Sequence, residues 1–142
     1  AIIDQQFAFG EDIIAKGLVP ILEPEVDIHC PDKAMAEEIM LGVIKENLTK
    51  LPAGAKLMFK FTIPSVDDLY ADLMKDPHVA RIVALSGGYS QSEANEKLAR
   101  NHGLIASFSR ALAQDLRASQ SDAEFDAVLE KAVDGIYAAS IT

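Results

Sequence analysis

Four short stretches hold residue types that chemistry uses, and each lies where an apolar run ends. Glu23-Pro24-Glu25 ends the run LVPILE (18–23), and Lys60 sits near the end of KLMFKF (56–61). Ser86-Gly87-Gly88 ends RIVALS (81–86), and Ser107, Phe108, Ser109 and Arg110 lie where LIASFS (104–109) runs out. An amine held in a confined site loses its proton more easily and can attack a carbonyl carbon to form a Schiff base. A carboxylate beside it can take and return protons. Two glycines between a strand and a helix let backbone N–H groups come close to an anion such as phosphate. A guanidinium grips phosphate through paired hydrogen bonds.

Taken singly, each feature also has a plainer account. Glu23 can be a solvated loop acid or a helix cap, since carboxylates are mostly exposed. Lys60 can pack its stem while its ammonium reaches water. The two glycines can be a tight turn, for they form neither a Walker nor a dinucleotide fingerprint. Arg110 can belong to a surface ion pair, which is worth little.

The elements that must position these groups alternate along the chain. The four apolar runs are short, nearly continuous and rich in β-branched residues, as strands buried on both faces are. Between them lie longer amphipathic stretches. PDKAMAEEIMLGVIKENLTK (31–50) carries Ala36, Ile39, Met40, Val43, Ile44 and Leu48 at helical spacing and should stop before Pro52. Residues 65–76 read as a helix capped by Ser65, with Val66, Leu69 and Leu73 on one face. Residues 90–103 open with Ser90 and Glu93 in a capping-box pattern and finish at Gly103. Helices are also expected over 108–117, over 121–140 with the same Ser-to-Glu spacing, and over 6–16, closed by Gly17. The order α-β-α-β-α-β-α-β-α-α implies right-handed βαβ units and a parallel sheet. No low-complexity linker interrupts it, so residues 1–142 read as a single unit.

Composition narrows the function classes. With 142 residues, 49% of them hydrophobic and 25% charged, the chain can build a core. Its formal net charge of -9 disfavours nucleic-acid backbones, so any anion site must be local. Cys30 is the only cysteine, which leaves no intrachain disulfide and no CxxC metal motif. With His29, His78 and His102 scattered, no zinc pattern emerges, and His29 beside Cys30 reads as loop structure. No apolar run is long enough to span a membrane. The N-terminus lacks the pattern of a secretory signal, and its abrupt apolar start without Met suggests that something precedes it. A cytoplasmic location is expected.

In parallel α/β folds, functional groups collect at the carboxyl ends of the strands. Glu23 shares strand parity with Val19 and Ile21, and Lys60 with Met58. Neighbouring strands lie roughly 5 Å apart, so Glu23 and Lys60 can exchange protons directly or through water. An acid, an amine, a glycine turn and an arginine at four consecutive strand ends are the parts that cleavage of a phosphorylated ketose needs.

The stretches VPILEPEVD, KLMFKFTIP, IVALSGGYSQSEAN and IASFSRAL resemble class I fructose-bisphosphate aldolases of the bacterial form, in the family's order and at similar spacing. SGG alone is a weak motif, but the full set is specific and spans essentially the whole chain. The resemblance implies an α/β fold that is the C-terminal half, strands 5–8, of a TIM (β/α)8 barrel. It implies that Lys60 forms the Schiff base, that Glu23 is the acid/base and that Glu25 supports it. Ser86, Gly87 and Gly88 would cradle the ketone-side phosphate with Arg110 as guanidinium partner. Ser109 would lie beside them, although the loop here is shorter than in the vertebrate-type motif. The implied reaction is reversible aldol cleavage of fructose 1,6-bisphosphate in glycolysis and gluconeogenesis. It needs no metal or other cofactor, because the iminium is itself the electron sink.

The chain departs from the family in length, for the first four strands and their aspartate and lysines have no counterpart. A half barrel would expose two long parallel edges and bare apolar faces. The chain is therefore expected to be a fragment, or to pair with an N-terminal half or another chain that completes the barrel, with little or no aldolase activity alone. The partners expected are a phosphorylated sugar and that completing half, with a homo-oligomer also compatible, and neither nucleic acid nor membrane. The alternative is a non-catalytic phosphate-binding or assembly module. A different Schiff-base barrel aldolase fits the spacing from EPE to Lys60 less well.

Overall fold

Leu57, Phe59 and Phe61 alternate with Met58 and Lys60, so an extended chain puts the first three on one face. In the computed structural model, which describes residues 2–142, that face is fully buried and the Met58–Lys60 face is only half covered. The elements are α1 (Ile2–Ile14), β1 (Ile21–Leu22), α2 (Lys33–Leu48), β2 (Leu57–Thr62), β3 (Val79–Leu85), α3 (Gln91–Ala99), β4 (Ile105–Ala106) and α4 (Asp122–Ser140). The four strands form one parallel sheet in the order β1-β2-β3-β4. Each crossover thus steps to the adjacent strand, as in half of a TIM barrel.

The buried face of the sheet meets the helices through an aromatic row. Phe7 of α1 lies 6.1 Å from Phe59, Phe59 lies 5.1 Å from Phe61, and Phe61 lies 4.5 Å from Tyr70, between ring centroids. Met40, Ile44 and Leu48 from α2 and Ile82 and Ala84 from β3 complete this side. Truncating one such buried ring to alanine typically costs about 3–5 kcal/mol.

Three helices follow their expected caps. Gly17 closes α1 with φ 78°, Ser90 caps α3 by accepting from the Glu93 N–H, and Ser121 and Glu124 form a complete capping box on α4. Two expected helices do not form. Residues 65–76 make turns and a short 3₁₀ segment, Leu73–Lys75. The cause is tertiary: Asp68 takes φ 60°, donates its N–H to Asn101 Oδ1 at 3.0 Å, and accepts from the His102 N–H at 2.7 Å. Ser65 is accordingly not a cap. Residues 108–117 make no α-helix but a run of turns over 110–115, with one helix-like bond from the Ala113 N–H to the Ser109 carbonyl at 3.0 Å, and Gln91 of α3 holds this segment. Its side chain donates to the Ala111 carbonyl at 2.9 Å and its N–H to Gln114 Oε1 at 2.8 Å.

The sheet edges are short rather than long, as β1 and β4 keep two residues each of the expected six. Pro20 brings no N–H to the ladder, although its carbonyl accepts from Met58 N at 2.8 Å. Apolar side chains do stand bare. Leu18, Val19 and Ile21 are exposed along β1. Beside β4, a hollow of about 490 Å³ opens between Ile105, Phe108, Val133, Ile136, Tyr137 and Ile141. No helix among the described residues is long and apolar enough to cross a membrane.

The Asp68–His102 clamp generates a pH prediction. Hydrogen bonds from His102 hold the Asp68 carboxyl below its ordinary value of 3.8. A depressed carboxyl contributes stability above that value and loses it as pH falls through the folded-state value. Asp68→Asn should therefore melt at a lower temperature than the wild type at neutral pH. The gap in melting temperature, followed by circular dichroism, should close as the pH drops below 3.8.

Candidate active site

Parallel register brings the chemistry-bearing strand ends to one level. Ile21 pairs with Met58 and Leu22 with Phe59, and the next step along that register sets Glu23 opposite Lys60. Lys60 in turn pairs with Val83, and Val83 with Ile105. At this level Lys60 Nζ donates to Glu23 Oε2 at 2.9 Å. The lysine is about a quarter exposed and the glutamate nearly half, so the pair sits at the rim rather than in the core. As a source of stability such a pair is worth little. Its chemical meaning is that a proton can pass from ammonium to carboxylate without an intervening water.

A small polar cleft of about 110 Å³ adjoins this pair, lined by Glu25, Lys60, Leu85, Ser86, Gly87, Ser107, Ser109 and Arg110. The structure thus gathers six of the eight sequence-selected site residues around one space. Glu23 reaches it through Lys60, while Gly88 lies outside the lining. Ser86 is buried and its carbonyl accepts from the Tyr89 N–H at 3.0 Å, which closes the turn into α3. Gly87 has φ 64°, and a Cβ there would stand 2.7 Å from Ile28 Cγ2 and 3.1 Å from Thr62 Cγ2. Both the backbone angle and the close approach require glycine. Arg110 is exposed and forms no ion pair among the described residues, so the plain surface-pair account does not hold for it. It lines the cleft together with the Glu25 carboxylate.

Sequence reasoning named Ser107 at its strand end but gave it no role, and it missed Leu85 as a cleft wall and a polar network behind them. Thr62, buried at the end of β2, donates through Oγ1 to the Val26 carbonyl at 2.9 Å and so ties down the loop that carries Glu23 and Glu25. Lys33 and Glu37 on α2 form a buried ion pair that also bonds Ile63 and Ser65. One turn apart on a helix, the two look in sequence like an ordinary exposed pair. The only sequence hint was their spacing, which puts 33 and 37 on the same helix face as the buried Met40 and Ile44. No group of three or more His, Cys, Asp or Glu side chains stands ready to hold a metal ion among the described residues.

The chain is similar over its whole length to proteins named fructose-bisphosphate aldolase class 1. It is 56% identical to that of a Synechocystis strain over 142 residues, 100% of this chain and 47% of the relative. It is 56% identical to that of Clostridium acetobutylicum over 141 residues, 99% of this chain and 48% of the relative. It is 54% identical to that of Porphyromonas gingivalis over 140 residues, again 99% of this chain and 47% of the relative. The chain spans about half the length of these curated relatives, matching roughly their C-terminal half. No protein-family model matches it.

The glycine turn generates the prediction of this section. Gly87→Ala adds a Cβ at a left-handed backbone position and against Ile28 and Thr62. It should lower unfolding free energy by about 1–3 kcal/mol, the usual cost of backbone strain of this kind. Urea titration should show the midpoint falling with an unchanged slope.

Proposed function

We propose that this chain, homologous over its full length to half of the class 1 fructose-bisphosphate aldolases, supplies the Schiff-base lysine and one phosphate grip of such a lyase. The observation that carries this reading is the direct 2.9 Å contact between Lys60 and Glu23 at the mouth of the cleft that Arg110 lines. The reaction proposed is the reversible cleavage of fructose 1,6-bisphosphate to dihydroxyacetone phosphate and glyceraldehyde 3-phosphate.

The roles proposed for each group are those the resemblance implies, and the positions of Lys60, Glu23 and the cleft residues support them. Glu23 takes a proton from the Lys60 ammonium, and the free amine attacks C2 of the ketose. Glu23 then returns that proton to the carbinolamine oxygen, which leaves as water, and an iminium remains. The iminium draws in the electrons of the C3–C4 bond as the C4 hydroxyl loses its proton, and the aldehyde departs. The enamine left on Lys60 is protonated at C3 and hydrolysed, which restores the amine. Glu25, lining the cleft beside Lys60, supports this proton traffic. Backbone N–H groups from Ser86 to Gly88, together with the Arg110 guanidinium and Ser109, hold the ketone-side phosphate.

The cleft of about 110 Å³ admits a phosphate group but not a whole sugar bisphosphate. Pockets that enclose small ligands usually span about 300–1,000 Å³. The rest of the substrate must therefore be enclosed by a completing half of the barrel, on the same polypeptide or another. By itself the segment should show little or no turnover.

The test uses the protein as its gene encodes it. Dihydroxyacetone phosphate followed by borohydride should fix substrate mass on the peptide holding Lys60, as read by mass spectrometry. Lys60→Met should remove both the adduct and the activity. Glu23→Gln should lower kcat by about 10²–10⁴, the usual worth of a general acid/base, while part of the adduct still forms. An adduct on a different lysine, or equal and total loss in both variants, would sink the assignment. Phosphate-dependent stabilisation that survives Lys60→Met in a protein without turnover would instead favour a non-catalytic phosphate-binding module.

A further inference from the structure

We propose that Lys33 and Glu37 are positioning residues, a buried clasp that holds the exit of β2 and through it sets Glu23 and Gly87 around Lys60. The proposal rests on the Schiff-base reading above. It starts from an oddity, since two charged side chains on α2 are almost wholly buried, Lys33 at 6% and Glu37 at 0% exposure.

Their polar atoms are all used. Lys33 Nζ donates to Glu37 Oε1, to the Ile63 carbonyl at 2.9 Å and to Ser65 Oγ at 3.3 Å. Those are the three donors an ammonium has. Glu37 Oε2 accepts from the Ser65 N–H at 2.9 Å. Burying such a pair is a weak source of stability, because apolar residues of similar volume often do as well or better. What the pair supplies, and apolar residues cannot, is directed hydrogen bonding to particular backbone atoms.

Those atoms belong to a segment that the sheet no longer holds. The β2 ladder ends at Thr62, paired with Leu85. Beyond it, Pro64 has no N–H, and the bonds to Ile63 and Ser65 come from the clasp. This exit stands between the two other parts of the site. On one side Thr62 Oγ1 holds the Val26 carbonyl, directly after Glu23-Pro24-Glu25. On the other, Thr62 Cγ2 lies 3.1 Å from where a Cβ of Gly87 would stand. Thr62 is the last laddered residue and is joined directly to the clasped Ile63, so a shift of the exit reaches the acid loop and the glycine turn through Thr62, while Lys60, two residues further into the strand and paired with Val83, stays in place. The clasp therefore controls both the separation between nucleophile and acid and the placement of the glycine turn that would hold the phosphate.

The test compares three forms of the protein as its gene encodes it. Lys33→Met/Glu37→Leu removes both charges together and leaves neither partner buried alone. It should melt near the wild-type temperature. Its kcat, and its rate of borohydride-trapped adduct formation at Lys60, should fall about 100-fold, as misplacement near 1 Å can cause, and KM should rise as the glycine turn shifts. Lys33→Gln/Glu37→Gln keeps hydrogen-bonding atoms without charge and should recover part of that rate. Wild-type kcat in either variant overturns the proposal, and so do equal losses in both, which would assign the effect to packing. If the apolar variant does not fold, the amide variant against wild type decides the matter. Amide hydrogen exchange across residues 61–66 separates this inference from the functional one. Faster exchange in the variants supports the clasp, and wild-type exchange overturns it, even if the wild type traps no adduct at Lys60.

Discussion

Because β2 and β3 pair in parallel and stay in register from Met58 opposite Arg81 to Thr62 opposite Leu85, their carboxyl ends come out level. Everything chemical in this molecule depends on that ladder. Side chains alternate along it, so Phe59 and Phe61 anchor β2 in the helix-covered core while Lys60 is held on the opposite face. The lysine cannot turn inward without dragging the two rings outward. Its neighbours then follow from topology. One crossover earlier brings Glu23 beside it, one later brings Ser86 and Gly87, and the next brings Arg110.

Electrostatics at this end of the sheet differ from those of the rest of the chain. The molecule carries a formal charge of -9, whereas at the cleft two cations, Lys60 and Arg110, balance two carboxylates, Glu25 in the lining and Glu23 paired with Lys60, and Arg110 has no ion-pair partner among the described residues. A negative net charge repels phosphates at long range, although salt shortens the reach of the field to about 8–10 Å. Binding an anion here must rest on short, directed contacts. A glycine turn that bares backbone N–H groups and a guanidinium without an ion-pair partner are contacts of that kind.

The same architecture explains what is left uncovered. Both central strands have full ladders, and both outer strands are two-residue stubs with exposed apolar neighbours. A chain that spans about half the length of its curated relatives has only part of the surface on which a closed barrel would bury these groups. The half-covered Met58–Lys60 face is where the inside of such a barrel would lie.

Much of this was legible in the residues themselves. Alternation in LMFKFT, the Ser-to-Glu caps of α3 and α4, and the glycine after α1 are local signals backed by local physics, and those elements formed, although α1 runs Ile2–Ile14 instead of 6–16 and α3 ends at Ala99 rather than at Gly103. The helices expected over 65–76 and 108–117 failed for the opposite reason. Their periodicity was real, but partners twenty or more residues away in sequence, Asn101 and His102 for one and Gln91 for the other, hold these segments in turns. Sequence by itself determined which residue types follow the four apolar runs and which face each takes, because residue order and side-chain parity are set along the chain. Only the tertiary structure decided that Lys60 meets Glu23 at hydrogen-bond distance, that Arg110 goes unpaired, and that Lys33 and Glu37 are buried. Contacts of that kind depend on register and on packing between distant segments, which no local pattern encodes.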